Sequence, residues 1–317
     1  MSDTLDVVVL AGGPSAEAEV SRSSAAAVVA ALDGASGLSA RFLELDAAAP
    51  TFLINQRPDV VFPVLHGPPG EDGTVQGLLE MLGLPYVGGD PQASAFAMHK
   101  GVAKSLFAER GLPMARDRRY RAEQGAAAIA VDVQTHLGDR VAIKPMQQGS
   151  ALGVTPLPEG GDLEAAVTAA LELGSELLVE EFVVGREMTV GVLDPHGERP
   201  SAFPVIEIET DAGQWYDFHN RYAAGASRHL VPAAIPDELT QQLQTVAIAA
   251  HDVLGLRDLS RADFIVRDDG TCVLLEVNSL PGMTPTSLYP DGAAAADISF
   301  PDLLTRLIRS AQRRAFN

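Results

Sequence analysis

Near the end of this 317-residue chain, four polar side chains stand at spacings that could bind a cation: Arg261, Asp263, Glu276 and Asn278. Between them lies Asp269-Gly270, a dipeptide that favours a two-residue hairpin turn. With that turn, residue 268 pairs with 271, Asp263 falls opposite Glu276, and Arg261 falls opposite Asn278. Side chains alternate faces along a strand, so all four share one face. Two directly opposed carboxylates destabilise a sheet unless something lies between them. Two carboxylates and an amide oxygen suit a hard cation such as Mg²⁺, which usually enters a site carrying nucleotide phosphates. The hairpin therefore reads as one wall of a metal-nucleotide site. Its structural alternative is an ion network of Arg261, Asp263 and Glu276 on a solvated strand face.

Other segments have both a chemical and a structural reading. Lys144 stands at a strand end before the loop Gly149-Ser-Ala-Leu-Gly153, which suits a mobile phosphate cover because glycines let backbone approach an anion and swing away; a plain surface hairpin fits as well. Gly12-Gly13 after a strand permits a tight turn, but matches neither the dinucleotide fingerprint nor a Walker A loop. Lys100, on a helix, is on its own a solvated charge. Glu180-Glu-Phe182-Val183 offers acidic side chains beside backbone groups able to meet an adenine, and Glu187 could accept from ribose hydroxyls.

The elements that must position these groups alternate between strand and helix, which marks α/β and α+β layers. Apolar strands are expected at Leu5 to Leu10, Asp59 to Leu65, Val141 to Lys144 and Leu177 to Glu180. Helices are expected at Ser21 to Leu32, Thr74 to Leu82, Gln92 to Arg110, Leu163 to Leu173 and Asp237 to Leu254. The loop from His66 to Gly73 is rich in turn residues. Domain boundaries fall near 90 and 185, giving 1–90, 91–185 and 186–317. A chain of this length exceeds the usual limit of one core.

Composition narrows the class. With 46% hydrophobic residues the chain can bury sizeable cores, yet no run approaches the ~18 apolar residues of a membrane span. Met1-Ser2-Asp3 leads straight into a strand, so secretion is not expected. The single cysteine, Cys272, excludes an internal disulfide and fits a reducing, cytoplasmic setting. A net charge of −19 argues against a nucleic-acid partner.

Taken together, five ordered segments resemble the D-alanine–D-alanine ligase family of the ATP-grasp fold. They are Gly12-Gly-Pro-Ser-Ala-Glu-Ala-Glu-Val-Ser21, His66 to Gly77, Lys144 to Gly153, Tyr216-Asp-Phe-His-Asn-Arg-Tyr222 and Glu276 to Leu288. The resemblance implies three domains, the first Rossmann-like (a pre-ATP-grasp domain), with ATP held between the second and third. It implies Lys100 and Lys144 on the phosphates, Glu180, Phe182 and Val183 around adenine, and Glu187 on the ribose. Asp263, Glu276 and Asn278 match the ligands of two Mg²⁺ ions; the resemblance allows Mn²⁺ in their place and a monovalent cation besides. Glu19 matches the acid that holds the first D-alanine's ammonium, with His66 beside that substrate and Ser150 and Tyr222 as partners of Glu19. Arg261 and the Gly282 N–H match the oxyanion hole, Ser287 and Leu288 the second D-alanine's carboxylate site, and Arg221 a substrate-side cation. A homodimer in the cytoplasm, with no membrane partner, completes what the family implies.

The activity so implied is ligation of two D-alanines through an acyl phosphate, for peptidoglycan precursor synthesis. Departures from the family pattern are Gln147-Gln148, Ala151, His99, His219, Asn220 and Arg221. Two rivals stand beside it. One is a related ligase with D-lactate, D-serine or another amine as acceptor, against which Tyr222 favours an amine. The other is a non-catalytic nucleotide-binding protein, which would be expected to have lost Arg261, Asp263 or Glu276.

Overall fold

The computed structural model describes residues 4–149, 152–210 and 227–314. Strands β1 (Leu5–Ala11), β2 (Leu38–Glu44) and β3 (Val60–Pro63) form a parallel sheet in the order β2-β1-β3. Helices α1 (Ala18–Leu32) and α2 (Ala49–Gln56) connect them as crossovers. Val7 to Ala11 are all buried, as a strand covered on both faces requires. Helix α1 starts three residues before the expected Ser21, which makes Glu17 its N-cap residue. Helix α3 (Thr74–Leu82) follows the turn-rich loop and stops at Gly83, left-handed at φ 61°.

The single helix expected from Gln92 to Arg110 is two, α4 (Pro91–Met98) and α5 (Lys100–Glu109). His99 parts them: its backbone is extended, and its Nδ1 accepts the Val102 N–H at 3.3 Å, capping α5. Strands β4 (Asp117–Arg121), β5 (Val141–Pro145), β6 (Thr155–Leu157) and β7 (Glu176–Glu181) form an antiparallel sheet in the order β4-β7-β5-β6. Helices α6 (Ala126–His136) and α7 (Leu163–Leu171) share its core, through Ile129, Val133, Val167 and Ala170.

A third sheet runs β11-β10-β8-β12-β13, with β9 on the flank of β8. Its strands are β8 (Arg186–Asp194), β9 (Ser201–Ala202), β10 (Ile206–Thr210), β11 (Ser227–Leu230), β12 (Asp258–Val266) and β13 (Cys272–Asn278). Helix α8 (Asp237–Leu254) covers this sheet with Leu243, Val246 and Ala250, and α4 and α5 join the same core through Ala93, Ala103 and Phe107. Helices α9 (Leu288–Ala295) and α10 (Phe300–Arg314) return to the N-terminal sheet, where Leu303, Leu307 and Ile308 pack with Val7, Val9 and Val28.

The β12–β13 hairpin has the expected pairs, Arg261 opposite Asn278 and Asp263 opposite Glu276, but reaches them by another route. The Arg267 N–H donates to the Thr271 carbonyl at 2.9 Å and Gly270 is left-handed, so the turn holds three residues, not two. That shifts the register near the turn by one, pairing Phe264 with Leu274; a bulge at Leu275 restores it at Asp263.

The start of β12 is pinned by Asp258, fully buried and left-handed at φ 65°. Its carboxylate accepts from the Gly88 N–H at 2.8 Å, Ser310 Oγ at 2.6 Å and both Arg314 Nη atoms at 2.8 Å. Arg314 Nη2 also reaches the Tyr86 carbonyl at 2.8 Å. One carboxylate thus ties the N-terminal sheet, the last helix and the strand that carries Arg261. Arg314→Ala leaves that carboxylate buried without its cation, so unfolding stability should fall by about 3 kcal/mol. Urea denaturation followed by circular dichroism checks this; a loss under ~1 kcal/mol would mean that surface ion-pair energetics apply instead.

Candidate active site

The hairpin wall faces a cavity lined by His66, Glu71, Lys100, Gly149, Arg261, Glu276, Asn278, Gly282, Ser287 and Leu288. Arg261 and Asp263 are both buried, and the guanidinium grips the carboxylate through Nε and Nη2, each at 2.8 Å. Thr189 Oγ1 donates to the same Asp263 Oδ1 at 2.6 Å. Glu276 faces Lys100 Nζ at 3.6 Å, and that ammonium donates to the Gln148 carbonyl at 2.6 Å. Asn278 Oδ1 accepts the Leu280 N–H at 3.0 Å. The ion-network reading thus holds for Arg261 with Asp263, but on the wall of a cavity and not on a solvated face.

Among the described residues, no cluster of three or more His, Cys, Asp or Glu side chains forms a metal group. The donor set of Asp263, Glu276 and Asn278 is all oxygen and doubly anionic, which fits Mg²⁺ carried in by a nucleotide rather than a metal cage of protein alone.

On the acid for the substrate ammonium, the sequence reading is corrected. Glu19 lies on the outer face of α1, its side chain 88% exposed and paired with Arg22. Glu17 is 3% exposed. A methyl group on Gly67 or Gly149 would lie 3.5 or 3.6 Å from Glu17 Oε2, which places that carboxylate between the two loops. Two residues along a helix turn the side chain by about 200°, so only one of the two acids can face inward. The earlier start of α1 selects Glu17.

His66 is buried, with Nε2 lacking a hydrogen-bond partner among the described residues. Burial, with the Arg261 charge, holds its imidazole below its ordinary pKa and so neutral, although Glu17 pulls the other way. Gly282 is packed so closely that a methyl there would lie 2.8 Å from Ser287 Oγ and 3.9 Å from His66 Cε1. Ser287 is the N-cap residue of α9, and its Oγ accepts the Thr284 N–H at 3.0 Å. Helix N-termini favour anions such as a carboxylate.

A second cluster lies beside β7. Glu180 and Lys104 are each 3% exposed by side chain and in direct contact; Lys144 Nζ contacts the other oxygen of Glu180. Phe182 and Val183, just beyond, are partly buried, as is Glu187 on β8. Ser150, Arg221 and Tyr222, with Ala151, His219 and Asn220, lie outside the described residues.

Sequence reasoning missed Glu17, Glu71, Lys104 and Thr189. Glu17 had a signal, as the acid just ahead of the helix; Lys104 and Thr189 have none until the sheets are assembled. Glu71 accepts the Gly67 N–H at 2.7 Å. Burial, with the nearby Glu17 and Glu276 charges, pushes its carboxyl up to about 8 despite Arg261 and that hydrogen bond. Between an ordinary 4.5 and about 8 the folded chain holds a proton that the unfolded chain has released. The stability this proton supplies is full below the lower value and lost as pH rises through the upper one. Glu71→Gln should therefore gain stability relative to wild type as pH is raised from about 5 to 8. Paired thermal melts in a metal chelator test it, and a constant difference would show an ionised Glu71 throughout.

A βαβ N-terminal sheet, two antiparallel sheets beyond it, and a cavity wall that sets Glu276 and Asn278 beside Lys100 have the form of an ATP-grasp ligase, which joins a carboxylate to an amine. Family models described as D-ala D-ala ligase N-terminus and C-terminus match residues 46–89 and 106–309. The D-alanine--D-alanine ligase of Geobacter sulfurreducens is 42% identical over 98% of this chain and 95% of its own. That of Moorella thermoacetica is 39% identical over 96% and 98%. The Bacillus anthracis D-alanine--D-alanine ligase complexed with ATP superposes at TM-score 0.84, with 27% identity over 99% of both chains. The VanG D-Ala:D-Ser ligase of Enterococcus faecalis gives 0.83 and 28%, over 97% and 99%. The chain belongs to the D-alanine–D-alanine ligase family.

Proposed function

We infer that this enzyme joins two D-alanine molecules at the expense of ATP, a step of cell-wall precursor synthesis. The observation that carries the residue assignments is the cavity wall on which Arg261, Glu276 and Asn278 face Lys100, His66 and the N-terminus of α9.

In this reading Glu17 holds the ammonium of the first D-alanine, with His66 beside it. The first carboxylate attacks the γ-phosphorus of ATP; the new P–O bond forms as the bond to ADP breaks, giving an acyl phosphate. Lys100 and Lys144 offset charge on the phosphate oxygens. Mg²⁺, held by Asp263, Glu276 and Asn278, supplies further neutralisation there when bound. The second amine then attacks the acyl carbon, gives up a proton, and phosphate leaves. Arg261 and the Gly282 N–H stabilise the tetrahedral oxyanion. Ser287, Leu288 and the positive end of α9 hold the second carboxylate. Glu180, Phe182 and Val183 meet adenine, and Glu187 the ribose. Ser150, Tyr222 and Arg221 belong to this reading by family likeness, with Glu17 in the place first given to Glu19.

Two Mg²⁺ ions, replaceable by Mn²⁺, a monovalent activator, a homodimer and a cytoplasmic location are parts of the same reading. Among the described residues no helix is long and apolar enough to cross a membrane. The three separate sheets support domains at 1–90, 91–185 and 186–317, with α4, α5 and α10 packed across those bounds. The test is ATP-dependent phosphate release with D-alanine, D-serine and D-lactate, products identified by mass. D-alanyl-D-alanine as the main product supports the reading; D-alanyl-D-serine or D-alanyl-D-lactate in its place overturns the acceptor.

A further inference from the structure

We propose that Lys104, a residue that touches no substrate, sets the nucleotide specificity of this enzyme by keeping Glu180 an ionised, fixed acceptor that takes a purine 6-amino group and refuses a 6-oxo group. The inference rests on Glu180 as the adenine contact in the reading above.

Glu180 on β7 stands directly opposite Asp117 on β4. Like charges at such a pair destabilise a sheet. Lys104, projecting from α5, bridges them: its Nζ contacts Glu180 Oε1, lies 3.4 Å from Asp117 Oδ1, and donates to the Ala115 carbonyl at 3.1 Å. Of these contacts, those to Glu180 and the Ala115 carbonyl are hydrogen bonds and the one to Asp117 is an ion pair. Lys144, from β5, holds Glu180 Oε2. Among the described residues, Lys104 on α5, Lys144 on β5 and Asp117 on β4 are thus charged groups that face Glu180. Burial alone would push the Glu180 carboxyl up, but Lys144 and Lys104 outweigh it and bring it down to about 2.

The two lysines are not equivalent. Lys144, 13% exposed, shares its charge with the phosphates in the proposed mechanism, whereas Lys104 is sealed behind the sheet and stays with Glu180. A carboxylate accepts and cannot donate, and each of its oxygens has room for a second donor. Adenine presents a 6-amino donor to it. Hypoxanthine presents a 6-oxo acceptor, which leaves two desolvated acceptors facing each other. A protonated Glu180 could instead donate to that oxygen, and removing Lys104 makes protonation easier.

The experiment measures kcat/KM for ATP and ITP, which differ at C6 and at the adjacent N1 (an acceptor in adenine, an N–H donor in hypoxanthine), with saturating D-alanine from pH 6 to 9. Wild type should prefer ATP by roughly 100-fold or more. Lys104→Met should cut that preference at least about tenfold through the nucleotide KM more than kcat, with the preference recovering as pH rises and Glu180 ionises. Lys104→Arg, which keeps the charge, should retain most of it. Should Lys104→Met fail to fold, Lys104→Gln carries the same expectation, because its amide can still donate to the Ala115 carbonyl. Equal losses with ATP and ITP, or an unchanged ratio in a folded variant, overturn the proposal. A wild type indifferent between ATP and ITP would overturn the Glu180 reading itself, a separable result.

Discussion

Arg261→Ala is expected to lower kcat by roughly two to three orders of magnitude while D-alanine binding changes far less. The reason is where the guanidinium is held. Its Nε and Nη2 grip both oxygens of Asp263, which fixes its plane against the hairpin wall, beside the Gly282 backbone in the same cavity. A donor so fixed needs no reorganisation when charge appears on the acyl oxygen. The alanine variant also strips Asp263 of its cation, so a loosened Mg²⁺ site is a competing cause. The two separate on titration with Mg²⁺: a defect in the oxyanion hole persists at saturating metal, whereas a defect in metal binding is rescued. Full rescue would remove Arg261 from the acyl-transfer step. Arg261→Lys should recover only part of the loss, because a compact ammonium cannot bind both carboxylate oxygens in one plane.

Glu17→Gln should raise the D-alanine KM and lower kcat/KM by about 100-fold, whereas Glu19→Gln should leave both within about twofold. Glu17 is a buried carboxylate between the Gly67 and Gly149 loops, and an amide there loses the charge that pairs with an ammonium. Glu19 is exposed and bonded to Arg22, which in turn holds Glu44 through Nε at 3.0 Å and Nη2 at 2.9 Å. Steady-state kinetics at several D-alanine concentrations decide between the two acids. A loss confined to Glu19→Gln would show that α1 presents its other face to the substrate. The pair also separates binding from folding, since neither change alters side-chain volume much.

The hairpin shows how far counting goes. Alternation and the Asp-Gly turn predicted that Arg261, Asp263, Glu276 and Asn278 share a face, and they do, because the side-chain period of a strand is fixed by its backbone geometry. Counting could not reveal that the turn is one residue longer and the register is restored by a bulge at Leu275. Those two departures cancel only because Phe264 and Leu274 must both point into the core. Helices Thr74–Leu82 and Asp237–Leu254 were legible to the residue, since each ends at a glycine in the left-handed conformation. The break at His99 was not, because nothing local distinguishes a histidine that caps the next helix from one that continues the last.

By itself, then, the sequence determined the alternating strand-helix order, the sheet face that carries the acids and the ordered segments that match the ligase family. These follow from periodicity, turn chemistry and residue type, all of which act over a few neighbours. Tertiary structure decided which of two acids, Glu17 or Glu19, is buried between the Gly67 and Gly149 loops. It also decided that Lys104 lies between Asp117 and Glu180, and that Asp258 meets Gly88, Ser310 and Arg314. Each of these joins segments far apart in the chain, and a buried charge can choose its partner only when packing has closed off water.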